Sequence, residues 1–406
     1  MKSQFPFSKD TELAFKNEPP GQWLSKLPEG CIRLSSGYPM PELVPSEGIK
    51  SAVVRLLDEE QDLPLHYLGS PRIPKLKQYI GERMARRGMP VAEEELLVTS
   101  GACQAIDLIS RILLDKEALI VIESPTYMEA LEVFQNYTDQ FLTVPIDADG
   151  LQTEVLEELL KERQKQGQTL PRMLYTIPTF QNPTGTTMSE SRRRHVLELA
   201  EAYDFLILED DAYGELCFGE RPVSLKAMDE QNRVLHVGSL SKVVAPGMRI
   251  GWVAAPKELI EPISWFKKDL DHPFAQATMA SFLESIDFDE HLKNLTESYE
   301  AKCATLLASL EKFLPPAVTW FKPEGGYFVW LKVPEVDTSQ LLQEALDKGV
   351  SFVPGKFFFL NQSEGLEYLR LSFSYANEEE IVTGVQLLAQ VLASKVEERG
   401  ECHDGL

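Results

Sequence analysis

The sequence predicts an α/β fold, a mostly parallel sheet covered by helices, joined to a second part of α+β character. Three observations carry this. Short apolar runs alternate with helix-like stretches from about residue 96 to 254, the pattern of right-handed strand–helix–strand crossovers. Polar residues and glycines gather directly after the apolar runs, as expected where strand carboxyl ends meet a ligand. The last hundred residues change character, with one long helix-like stretch and then isolated strand patterns.

In chain order, residues 1–48 are rich in Pro, Gly and aromatics and read as irregular or short elements. Leu96–Val98 reads as a strand, followed by Thr99-Ser100-Gly101 and a helix over Ala102–Leu114. Ala118–Ile122 is continuously apolar, as a strand covered on both faces must be. Leu131–Asn136 and the charged Glu154–Lys165 read as helices. Met173–Ile177 is a strand and Ser191–Tyr203 an amphipathic helix. Phe205–Leu208, Val234–Val237 and Arg249–Ala254 complete the strand series. A long helix is expected over about Phe282–Leu314, then strands at Tyr327–Leu331 and Leu369–Phe373 and a closing helix near Glu378–Val396. This gives a large domain over 49–300 and a smaller α+β domain over 301–406, on which residues 1–48 are expected to pack.

Composition narrows the function classes. Among 406 residues, 40 Lys and Arg face 63 Asp and Glu, a formal charge of −23. That weighs against nucleic acid, which selects a basic patch, and favours solubility. The basic runs Arg83…Arg86-Arg87 and Arg192-Arg193-Arg194-His195 lie in helical segments beside acids and are expected to be solvated faces. Five cysteines stand at 31, 103, 217, 303 and 402 with no Cys-x-x-Cys. That is neither a disulfide framework nor a metal knuckle, so no metal is expected and a reducing compartment fits. The opening MKSQFPFSKD has no apolar signal-peptide core, and the uncharged apolar runs are too short to span a bilayer. A soluble cytoplasmic protein, with no membrane or nucleic-acid partner, is expected.

The chemistry sits after the strands. Ser100-Gly101-Ala102-Cys103-Gln104 opens a helix, and its backbone N–H groups suit a phosphate. Ser239, Ser241 and Arg249 add hydroxyls and a bidentate guanidinium. Tyr127 can lie flat on an aromatic ring. Asp210 can hold a proton on a ring nitrogen, Asn182 and Tyr213 can bond a phenolic oxygen, and Lys242 is a nucleophilic amine. Each segment alone is unspecific; a lone Asn-Pro-x-Gly is usually just a turn. Together they describe a site for an anionic, aromatic, electrophilic ligand, and pyridoxal 5'-phosphate needs each of these groups.

Ser239-Leu-Ser241-Lys242 with Arg249 seven residues on, and Asn182-Pro183-Thr184-Gly185 followed by Asp210-x-x-Tyr213, resemble the class I pyridoxal-phosphate aminotransferases. The similarity is greatest to the 2-aminoadipate and kynurenine aminotransferase subgroup, and it runs from Leu34-Ser-Ser-Gly37 to Arg370-Leu-Ser-Phe-Ser374. It implies fold type I, with a mostly parallel seven-stranded sheet in the large domain. It implies that Lys242 forms the Schiff base with the cofactor and shuttles the substrate proton, and that Asp210, rather than Asp211, pairs with the ring nitrogen. Pro183 matches a position where the family often has a cis peptide. Arg370 matches the clamp on the substrate α-carboxylate, and Gly37 and Asn182 also match substrate contacts. Tyr67 matches a tyrosine that reaches the neighbouring subunit's cofactor phosphate, implying a homodimer with shared active sites. The implied reaction moves the amino group of an L-amino acid, aromatic, branched-chain or 2-aminoadipate-like, to a 2-oxo acid such as 2-oxoglutarate.

Departures from the pattern matter. The subgroup's Gly-Ser-Gln-Gln is Gly101-Ala102-Cys103-Gln104 here, so a phosphate hydroxyl is missing at Ala102. Cys103 stands at a helix N-terminus, where a thiol pKa falls. Ser70-Pro71-Arg72 replaces the usual Gly before Pro, and Arg72 is either a contact to a substrate carboxylate or a surface residue. Phe15, Trp23 and Tyr38 lean toward an apolar or aromatic side-chain pocket. A β-lyase or decarboxylase would use the same residues. The catalytic-like domain of MocR-type regulators is also similar, but residues 1–48 lack helix-turn-helix patterning.

Overall fold

The computed structural model describes residues 6–7, 11–17, 21, 27–67, 69–268 and 272–403, with side chains described as far as 393. Its main sheet runs, in spatial order, Leu96–Thr99, Gly251–Ala254, Val234–Ser239, Leu206–Asp210, Met173–Thr176, Ile120–Ser124 and Phe141–Asp147. A two-residue eighth strand, Gly150–Leu151, folds back on that last edge. The central pairings are parallel, and Gly251–Ala254 runs antiparallel to both neighbours.

Alternate residues of these strands pack on opposite faces. Ile120, Ile122, Met173 and Tyr175 join the helices Ala102–Leu113, Met128–Phe134 and Lys257–Phe266. Val121 and Leu174 join Thr153–Lys165 and Glu190–Tyr203 on the other side. Both faces are covered, so the strands read as unbroken apolar runs, each fully buried side chain contributing roughly 1.5–3 kcal/mol.

A second, antiparallel sheet orders Thr319–Trp320, Phe328–Lys332, Tyr368–Ser372 and Val353–Pro354. It is flanked by the helices Phe288–Phe313 and Glu378–His403. Ile32–Arg33 pairs in parallel with Val350–Ser351 beside it. Residues 31–38 therefore do pack on this part, with Leu34 O accepting from Ser372 N at 2.7 Å. Two of the described residues before them make contacts elsewhere. Lys16 pairs with Asp139 at 3.3 Å and Gly21 N donates to Glu132 at 3.2 Å, both on the main-sheet side.

Other expectations are corrected. The single helix over 282–314 is two, Pro273–Glu284 and Phe288–Phe313. Asp287 caps the second by accepting from Asp289 N and Glu290 N, satisfying donors a continuous helix would not leave free. The helix placed at 131–136 is Met128–Phe134. The last strand of the series starts at Gly251, because Arg249 has a left-handed backbone (φ 53°). The basic runs are not merely solvated. Arg193 is 1% exposed and donates to the carbonyls of Met188, Pro178 and Val223. Arg87 pairs with Asp211 at 2.5 Å and Arg83 with Glu215 at 3.0 Å. These acids lie 124 and 132 residues away, beyond what a helical pattern can register.

Candidate active site

The sheet register gathers the expected anion-binding residues at one point. Gly251 pairs with Thr99 on one side and Ser239 on the other. That brings the turn at Ser100–Gly101, the Ser239–Ser241 segment and Arg249 to one sheet edge. Arg249 Nη2 donates to Ser100 O at 3.0 Å. Gly101 has φ 89°, and a Cβ there would lie 2.4 Å from Arg249 Nη2, so the guanidinium needs a glycine beneath it. Among the described residues no carboxylate pairs with Arg249. Ser239 Oγ bonds Ser241 Oγ at 2.9 Å, and the buried Ser100 Oγ has no partner.

The neighbouring strand end presents Asp210. Its Oδ2 accepts from Tyr175 Oη at 2.9 Å, while its buried Oδ1 has no partner. Burial pushes its pKa up to about 6, against the Tyr175 hydrogen bond and with help from Asp211. A buried carboxylate oxygen lacking a donor is a costly vacancy, and a ring N–H would fill it. Asp211 instead faces away to Arg87, which separates the two adjacent acids.

A cleft of about 170 Å³ opens beside these groups, lined among others by Gly37, Tyr127, Asn182, Tyr213, Lys242 and Arg370. Lys242 Nζ donates to Gly37 O at 2.9 Å. Burial lowers its pKa to about 8, with Glu129 opposing and Arg370 adding to the fall. Arg370, on Tyr368–Ser372, is 3% exposed. Its Nη1 donates to Asn182 Oδ1 at 2.8 Å and its Nη2 to Ser35 O at 3.0 Å. Its Nε is buried and unpartnered, and its guanidinium lies 4.1 Å from the Phe328 ring centre. Burial brings its pKa down to about 10, with Tyr213, Tyr127 and Glu129 opposing, so it is still charged at neutral pH. The Ser124–Pro125 and Asn182–Pro183 bonds are both cis.

Supporting residues went unnoticed in the sequence. Glu129 accepts from Tyr127 Oη at 2.5 Å and from Cys103 Sγ at 3.4 Å. An acid in a first helical turn ordinarily reads as a dipole partner, so nothing marked it. Glu123, wholly buried, accepts from Ile177 N and Gln181 Nε2, and Gln181 also reaches Pro125 O. This ties the Tyr127 turn to the Asn182 turn. Tyr175 carried one available signal, since a buried tyrosine needs a partner for its hydroxyl.

Several expectations fail here. Burial, with the Glu129 charge and hydrogen bond, pushes the Cys103 thiol up to about 12 and overrides the helix N-terminus. Cys103 is therefore expected to resist iodoacetamide at pH 7.5, and peptide mapping that finds it alkylated quickly would contradict this. Arg72 neither points at a substrate nor lies free on the surface. It pairs with Glu59, Glu60 and Glu284, binding three helices together. Phe15 is 62% exposed, meets Phe7 edge to face and does not line the cleft, whereas Tyr38 does. Trp23 lies outside the described residues. Tyr67 is 84% exposed in the single chain. Among the described residues no helix is long and apolar enough to cross a membrane, and no cluster suits a metal ion.

The pattern of aminotransferase class I and II matches residues 29–388. An aromatic-amino-acid aminotransferase of Thermococcus litoralis is 39% identical over 371 residues, 90% of this chain and 88% of its own. A multiple substrate aminotransferase from Thermococcus profundus superposes with a TM-score of 0.88 at 37% identity, covering 97% of this chain and 98% of that one. A Pyrococcus horikoshii kynurenine aminotransferase, solved in complex with PMP, KYN and KYA, gives 0.83 at 35% identity, covering 90% and 92%.

Proposed function

The chain belongs to the class I and II aminotransferases and is a pyridoxal-phosphate-dependent enzyme of fold type I, and on that premise we propose how its residues divide the work. The observation that carries the reading is a depressed amine and a buried guanidinium lining one cleft, with Asp210, whose buried Oδ1 lacks a donor, near enough to act on the charge of that amine. The reaction moves the amino group of an L-amino acid with an apolar or aromatic side chain to a 2-oxo acid. Tyr38, Phe328, Phe352 and Val353 line the cleft and support that side-chain class.

The residues fit the cofactor. Asp210 would hold its ring nitrogen, Tyr127 its ring face, and Asn182 and Tyr213 its phenolic oxygen. The backbone of Gly101, Ala102 and Cys103, with Ser239, Ser241 and Arg249, would hold its phosphate. Ala102 offers no hydroxyl, so Arg249 carries more of that contact. When bound, pyridoxal phosphate supplies an electrophilic carbonyl carbon and a ring that withdraws electrons. Arg370 clamps the substrate α-carboxylate by a bidentate contact and fixes the Cα–H bond toward Lys242. Lys242 Nζ, with its pKa near 8, is part neutral at physiological pH and can take that proton and return it. Tyr67 of the partner subunit would complete the phosphate site, in a homodimer.

The test is the visible absorption of protein supplied with the cofactor. Single L-amino acids should bleach the band, and a 2-oxo acid should restore it. A band that never completes this cycle would overturn the reading. Arg370→Ala is expected to lower kcat/KM for every donor by roughly 2–5 kcal/mol, about 30- to 4000-fold, because a buried charge loses its partner. An unchanged kcat/KM would remove Arg370 from the clamp.

A further inference from the structure

Each carbonyl from Leu34 to Tyr38 accepts a hydrogen bond. Leu34 O takes Ser372 N at 2.7 Å, Ser35 O takes Arg370 Nη2 at 3.0 Å, and Gly37 O takes Lys242 Nζ at 2.9 Å. Ser36 O and Tyr38 O both take Ser374 Oγ, at 3.2 and 2.7 Å. Ser36, Gly37 and Tyr38 line the cleft. Two of these donors, Lys242 and Arg370, are the groups that work on the ligands. Lys242 gives up Gly37 O when it attaches the cofactor, and Arg370 is drawn to the α-carboxylate. The hold on Ser36 and Tyr38 then falls to Ser374.

Ser374 is itself held from behind. Its carbonyl accepts from Lys302 Nζ at 2.8 Å, and the same ammonium reaches Met40 Sδ at 3.1 Å. Lys302 lies on the helix Phe288–Phe313, is 3% exposed, and has its Nζ 5.8 Å from the Tyr299 ring centre. Among the described residues no carboxylate stands within ion-pair distance of it. Burial lowers its pKa to about 8, with Glu42, Glu380 and Glu378 opposing from further off, so it is mostly charged at neutral pH. A buried ammonium without a carboxylate costs stability. Packing does not ask for one here, since an unbranched methionine fills such a space without the charge.

We propose that Lys302 is a positioning residue for the substrate-facing segment, holding residues 36–40 through Ser374 and Met40 once Lys242 and Arg370 have left its carbonyls for their ligands. The proposal rests on the aminotransferase reading, which supplies those ligands. Lys302 touches neither substrate nor cofactor. It acts on how well the Gly37–Tyr38 wall receives both substrates, and not on the proton transfer at Lys242.

The experiment compares holoenzyme of wild type, Lys302→Met, Lys302→Arg and Ser374→Ala. Amide hydrogen exchange is followed in peptides covering 34–40 and 173–176, with Tm and with KM and kcat for one aromatic donor and one 2-oxo acid. Lys302→Met should speed exchange over 34–40 and raise both KM values about ten- to hundredfold, the loss of one charge-assisted hydrogen bond. Exchange over 173–176 and kcat should stay within about threefold, and Tm should hold or rise because an uncompensated buried charge has gone. Ser374→Ala breaks the same relay one step on and should loosen the same peptide, which keeps the relay testable even where Lys302→Met does not fold. Lys302→Arg keeps the charge and its donors and should recover part of the protection. A fall in Tm with faster exchange in both peptides would mark a merely structural lysine and overturn the proposal. So would a 34–40 peptide as protected in Lys302→Met and Ser374→Ala as in wild type. Loosening confined to 34–40, in a protein whose wild type transfers no amino group, would support the Lys302 anchor and overturn the reaction.

Discussion

Lys242→Ala is expected to abolish turnover while the protein stays folded and still takes up cofactor. The side chain is held by one hydrogen bond, to Gly37 O, so its removal leaves a polar gap and not a collapsed core. Two functions go at once. The amine that attaches the cofactor is lost, and so is the base that handles the substrate proton. Proton transfer by a positioned group alone is typically worth on the order of 10⁴-fold at the upper end. No other amine lines the cleft among the described residues, so no substitute is at hand. Cofactor should remain bound without covalent attachment, because Asp210, the Gly101 turn and Arg249 are untouched. Single-turnover mixing with an amino acid reads the chemical step directly. A wild-type-like rate would remove Lys242 from the mechanism.

The second large effect is expected at Asp210. Asp210→Asn keeps the shape, and Tyr175 Oη can still donate to the amide oxygen. It removes the charge that would hold a proton on the ring nitrogen. Breaking a buried charged pair costs roughly 3–5 kcal/mol, so kcat should fall about 100- to 4000-fold. A fall of less than about tenfold would show that the ring nitrogen is not its partner. The same carboxylate gives a pH signature. In cofactor-free protein its pKa stands at about 6, above its ordinary 3.8, so the folded state binds the proton more tightly than the unfolded state. Its contribution to stability is therefore full below about pH 4 and is lost as pH rises through about 6, amounting to about 3 kcal/mol. Glu123, raised by burial to about 7, works in the same direction. The difference between wild type and Asp210→Asn isolates Asp210, and denaturant unfolding at several pH values measures it. Cofactor affinity should show the opposite trend, rising as Asp210 ionises and flattening in the variant. A cofactor affinity equally pH-dependent in both proteins would refute the assignment.

The fold and the chain positions of most candidate binding groups were legible because their signals are local. A strand buried on both faces needs an unbroken apolar run, and Ala118–Ile122 and Met173–Tyr175 supply one. A ligand at strand ends needs polar residues directly after those runs, and Asp210, Ser239 and Lys242 stand there. The Ser-x-Ser-Lys and Asp-x-x-Tyr spacings are likewise properties of short segments. Helix boundaries were less legible. The break at Ser285–Asp287 rests on one capping aspartate inside a pattern that otherwise continues.

Everything that depended on distant partners was decided by the tertiary structure alone. Arg193 reads as a helix-surface residue until the Pro178 loop folds over it, and Arg72 as a loose loop residue until Glu284, 212 residues on, meets it. Cys103 sits at a helix N-terminus that should favour a thiolate, yet burial beside Glu129 reverses the sign. Phe15 is as aromatic as Tyr38, but only Tyr38 reaches the cleft. Arg370 and Asn182 are 188 residues apart. Sequence determined which groups the chain owns and on which element each rides, since backbone geometry and side-chain period act over a few residues. Which of those groups are desolvated, paired or left without a partner was decided only by tertiary packing, because burial and charge interaction depend on distance in space and not along the chain.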